Sequence, residues 1–176
     1  MASPKKEQYR SSYLLFFPLL FIVLILEIVR LPAAASQYRP DILGVMLIFF
    51  AMTDPKRINI GMAWISGLLL DILSGAPFGV NGLKVAFEVF MVISQFKRFP
   101  SFMLWQQMVI IGIVNMIGSV GVYWICNLIG QAGYNEFFGW SSIVTMLSWP
   151  LMLFVGAFLW RLFKISEASS KKEKEL

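Results

Sequence analysis

Asp71 is the residue of this sequence that most needs a chemical explanation. It closes the run Gly67-Leu68-Leu69-Leu70-Asp71 in an apolar stretch with no base beside it. A carboxylate in such surroundings is costly without a partner or a task. After two further residues, the nine residues Ser74-Gly75-Ala76-Pro77-Phe78-Gly79-Val80-Asn81-Gly82 hold three glycines, a proline and an asparagine. That composition marks irregular backbone with free N–H groups. Asp71 is therefore expected to cap this turn or to pair with Lys84, the rival being a ligand or proton site. Lys84 and Glu88 stand four apart, the spacing at which opposite charges meet on one helix face. Glu27 and Arg30, three apart, form a second such pair near the end of the first apolar run.

The remaining inventory is thin for catalysis. There is no histidine and a single cysteine, Cys126, inside an apolar stretch. This excludes histidine acid–base chemistry, disulfides within the chain and the usual Cys/His zinc sites. Cys126 reads as a small buried hydrophobe. The sequence holds no phosphate loop and no nucleophile elbow. Neither an enzyme nor a cofactor is expected.

The elements that must position these groups are apolar helices. The chain is 58% hydrophobic and 14% charged, whereas soluble domains carry about a quarter charged residues. Its apolar blocks are continuous rather than alternating, and a bilayer crossing takes roughly 20 helical residues. Six spans are expected, near Tyr13–Leu31, Asp41–Met52, Ile58–Leu73, Leu83–Phe96, Phe102–Ile129 and Trp140–Phe163. Pro40 is expected at the opening of the second, and Pro150 to kink the sixth. Gly112, Gly118 and Gly121 on the fifth would allow close helix approach.

The net charge of +5 comes from basic residues at the ends of apolar blocks, with no nucleic-acid patch among them. Lys5, Lys6, Arg10, Lys56, Arg57, Lys97, Arg98 and Arg161 mark one side, while Ser74–Gly82 and Gly130–Gly139 lack Lys and Arg. The positive-inside rule then puts both termini in the cytoplasm. The alternative is a re-entrant hairpin of spans two and three. Residues 1–12 read as a cytoplasmic arm, 13–163 as one transmembrane domain and 164–176 as a charged, disordered cytoplasmic tail. Ala33-Ala34-Ala35 after the first apolar run resembles a signal cleavage site, but Glu27, Arg30 and Pro32 intervene.

Two blocks resemble the MreD family of rod shape-determining proteins. One is Arg39-Pro40-Asp41-Ile42-Leu43 with the later turn Asp54-Pro55-Lys56-Arg57. The other is Gly67-Leu68-Leu69-Leu70-Asp71-Ile72-Leu73-Ser74-Gly75 followed by Phe78-Gly79-Val80-Asn81-Gly82. The resemblance implies an all-α polytopic protein of the bacterial inner membrane, similar in fold to the membrane substrate-binding subunits of energy-coupling-factor transporters. It implies a non-enzymatic scaffold of the cell-wall elongation complex. The partner would be the single-span MreC, and through it a RodA-type glycosyltransferase, a class B penicillin-binding protein and MreB filaments. Arg39, Pro40, Asp41, Asp71, Gly75, Gly79 and Gly82 match the family's motif, as structural or partner-facing positions; Lys84 and Glu88 join them as candidates on spacing. The alternative function is a subunit that captures a vitamin-like solute, with an outward pocket around Asp71, Asn81, Lys84 and Glu88.

Overall fold

Long runs of Leu, Ile, Val, Phe and Met with few breakers leave helix as the structure that satisfies its own backbone without water. The computed structural model describes residues 12–29, 32, 36–96, 98–130 and 138–162. Among them lie six α-helices: α1 Tyr13–Ile28, α2 Ile42–Thr53, α3 Ile60–Ser74, α4 Val80–Phe90, α5 Leu104–Leu128 and α6 Phe138–Leu162. A π-helical turn, Met91–Gln95, extends α4, and a 3-10 turn, Phe99–Ser101, leads into α5. No strand occurs among the described residues.

Successive helices alternate in direction, as their contacts show. The start of α1 meets the end of α2, where the Ser12 hydroxyl donates to Asp54 at 2.5 Å. The other end of α1 meets the start of α2 through Glu27 and Arg39. Along α5 and α6, Gln107 pairs with Trp149 and Asn115 with Ser142, an antiparallel register. α3 and α4 approach closely at Gly67, where an added Cβ would lie 2.6 Å from the Gly82 Cα.

α2 is the hub. Every residue from Leu43 to Ala51 is buried, so a helix apolar on all sides is enclosed by protein. Phe50 meets Phe16 of α1 edge-on at 5.3 Å, and Trp160 of α6 packs on both Phe49 and Phe50. α2 has 12 residues and so rises about 18 Å, short of the roughly 30 Å hydrocarbon core. α5 and α6, at 25 residues each, are long and apolar enough to cross a membrane.

Polarity runs opposite to that of a soluble globule. Asp71, Glu88, Gln107, Asn115, Ser142 and Thr145 are buried, while Trp124, Leu128, Phe154 and Phe158 are turned outward. An apolar exterior around an ionic interior suits lipid as the surrounding medium.

The expected elements largely coincide with the observed helices, with some differences. α4 begins at Val80 rather than Leu83, because the turn's acceptor is supplied from α3. Pro40 sits one residue before the α2 cap, which is Asp41. Pro150 does lie inside the sixth helix, where it was expected. Gly112 and Gly118 do face neighbouring helices, but a Cβ on Gly121 would meet nothing within 4 Å. The arm at 1–11, Arg30, the Ala33–Ala35 stretch and the tail from 163 lie outside the described residues.

Candidate functional site

Arg39-Pro40-Asp41 is the knot of the structure. The proline disfavours helical geometry at Arg39, which lies outside both helices. Arg39 turns back to α1 and places Nε 3.1 Å from a Glu27 oxygen. Its two terminal nitrogens donate to the carbonyls of Val29 at 3.0 Å and Leu26 at 2.6 Å. A guanidinium thus satisfies the carbonyls left over at the end of α1, where the helix dipole favours a cation. Glu27 returns the service by accepting the N–H groups of Ile42 at 2.9 Å and Leu43 at 3.4 Å at the start of α2. Each helix end is capped by the side chain of its neighbour.

Asp41 extends the knot across the bundle. One carboxylate oxygen caps α2 through the Gly44 N–H at 2.7 Å. The other accepts Lys84 Nζ of α4 at 2.7 Å and Asn115 Nδ2 of α5 at 3.1 Å. Its backbone N–H donates to Thr145 of α6 at 2.9 Å, while the Ser141 hydroxyl donates to the Arg39 carbonyl at 2.6 Å. Asn115 also donates to Glu88 at 3.0 Å and accepts from Ser142 at 3.0 Å. Lys84 lies 3.9 Å from Glu88. Five helices therefore converge on one ionic cluster.

Two glycines make the space. A Cβ on Gly44 would collide with a Glu88 carboxylate oxygen and lie 3.0 Å from Asp41 Oδ2. On Gly118 it would lie 3.1 Å from Lys84 and 3.2 Å from Glu88.

Asp71 builds a second, separate site. Gly79 precedes α4 at φ 96° and has no side chain to cap it. Asp71, on α3, takes that role. It accepts the N–H groups of Gly79 at 2.9 Å, Asn81 at 3.0 Å and Gly82 at 3.3 Å, plus Asn81 Nδ2 at 2.8 Å. Gly75, at φ 71°, ends α3 in the left-handed conformation common after helices.

The sequence-chosen residues thus fall in two groups. Arg39, Pro40, Asp41, Lys84 and Glu88 gather in the ionic cluster; Asp71, Gly75, Gly79 and Gly82 form the capped turn. Lys84 Nζ goes to Asp41, a closer partner than Glu88, because α2 and α4 pack side by side. Glu27 pairs with Arg39, whereas Arg30 is not described. The cavity at this end is lined by Asn81 and Lys84 as expected, but with Glu27, Arg39 and Asp41 instead of Asp71 and Glu88. Sequence reasoning took Asn115 for a packing amide and passed over Ser141, Ser142 and Thr145. The available signal was their place in otherwise apolar helices, with Ser141 and Thr145 one turn apart.

An apolar helical bundle whose ionic groups are spent on its own interior defines an integral membrane protein. The particular kind follows from comparison: the chain belongs to the family of the rod shape-determining protein MreD, which it matches over residues 8–162. It is also 22% identical over 143 residues to the rod shape-determining protein MreD of Haemophilus influenzae, covering 79% of this chain and 84% of that one. No solved structure matches it. Family membership gives the chain a role in determining rod shape.

Proposed function

We propose that the protein is a non-enzymatic scaffold subunit of the cell-wall elongation complex, crossing the inner membrane six times with both termini in the cytoplasm. It binds the single span of an MreC-type protein and through it adjoins the RodA-type glycosyltransferase, the class B penicillin-binding protein and MreB. One observation carries the reading. The ionic side chains within the bundle, Glu27, Arg39, Asp41, Asp71, Lys84 and Glu88, are spent on one another or on backbone, so the surface left for partners between the helix ends is broad and apolar. Such a surface suits van der Waals packing against another membrane helix. Lys56, Arg57, Arg98 and Arg161 fall at the end where α1 begins, in keeping with a cytoplasmic face there. The alternation of the six helices also supports the resemblance to energy-coupling-factor substrate-binding subunits.

The test is purification in nanodiscs from cells holding the native partners. A stoichiometric MreC-type companion is expected. Recovery of the chain alone, or with a pair of ATPases in place of that companion, overturns the proposal.

A further inference from the structure

A cavity of about 210 Å³ opens between the head of α2 and the first turns of α4 and α6. It holds about seven waters at roughly 30 Å³ each, the scale of one sugar ring. Its charged lining is balanced: Glu27 and Asp41 against Arg39 and Lys84. Two polar groups in the wall are left over. Ser119 of α5 is more than nine-tenths buried, and its hydroxyl makes no hydrogen bond among the described residues. Asn81 gives its Nδ2 to Asp71, and its amide oxygen likewise has no partner among the described residues. Both groups line the cavity, where a ligand hydroxyl can supply the bond that the protein does not.

We propose that this cavity is a binding site for a neutral, hydroxyl-rich molecule of monosaccharide size. The ion pairs choose the class. A charged or zwitterionic ligand bound by these ions would have to separate Arg39 from Glu27 at 3.1 Å or Lys84 from Asp41 at 2.7 Å. Breaking such a pair strands a charge in a poorly solvated place. Ligand hydroxyl groups can donate to the Glu27 and Asp41 carboxylates and bond the Ser119 hydroxyl and the Asn81 oxygen without disturbing either pair. Leu70 and Val85 add apolar wall on which a ring can rest. The site does not depend on the scaffold role, and its test needs no partner protein.

The experiment is saturation-transfer NMR on the full chain in nanodiscs. Glucose and N-acetylglucosamine are the probes; glycine and inorganic phosphate are the charged controls. Saturation transfer to at least one sugar and to neither control is expected. Ser119→Ala removes the free hydroxyl without adding bulk, so it should keep the thermal midpoint and weaken sugar binding about tenfold. Ser119→Leu, which fills the cavity, should abolish it. Absence of transfer to both sugars, transfer to glycine or phosphate, or equal sugar affinity in the wild type and both variants overturns the assignment.

Discussion

Lys84 and Asp41, 43 residues apart in sequence, meet at 2.7 Å and join the heads of α2 and α4. Both side chains are largely buried, at 14% and 11% exposure, so the pair is poorly screened by water. Losing one partner costs more than the contact itself, because the other charge is stranded. Asp41→Asn keeps a capping oxygen but removes the charge. It should destabilise the folded protein by about 3 kcal/mol. Lys84→Met should cost a similar amount, and the double variant less than the sum, with a coupling of about 2 kcal/mol. Unfolding in mixed micelles measures all three; strict additivity would show that the pair is energetically idle.

Asp71 should matter for folding of the α3–α4 turn. Asp71→Leu leaves the N–H groups of Gly79, Asn81 and Gly82 without their acceptor, at a cost of about 3 kcal/mol or more. Yield of folded protein, and of any complex with its partner, should fall well below that of Glu136→Ala. Equal yields would remove Asp71 from the account.

Glycine substitutions separate close packing from helix propensity. Gly67→Ala and Gly44→Ala force a methyl group into occupied space and should each destabilise by about 1–3 kcal/mol. Gly121→Ala meets nothing, so only helix propensity acts and stability should hold or rise by up to about 1 kcal/mol. Thermal midpoints in one detergent rank the three; a Gly67→Ala variant as stable as Gly121→Ala would contradict the α3–α4 contact.

Six crossings predict a labelling pattern. In a Cys126→Ser background, Lys56→Cys should react with an impermeant maleimide only after the cytoplasmic side is opened. Ala76→Cys should react from outside in intact spheroplasts. Labelling of both from the same side would favour the re-entrant hairpin.

Most of the helix layout was legible in the sequence, because lipid imposes long apolar blocks and basic ends. The ionic cluster was legible only in part. Arg39, Pro40, Asp41, Lys84 and Glu88 drew notice as charges or motif members, but their association depends on which helices lie side by side, and no local spacing encodes that. Asn115 looked like an ordinary packing amide, yet it bridges Asp41 and Glu88. The burial of α2 was hidden for a related reason. Hydropathy alone does not distinguish a helix that faces lipid from one wrapped by its own neighbours.

The mutual capping between α1 and α2 has a mechanical corollary. The segment that closes the end of α1 also grips α4, α5 and α6, so no one of these helices can slide far without loading the rest. A tug from a neighbouring protein should therefore tip the whole subunit like a stiff plug, passing the displacement to its far side instead of absorbing it by bending.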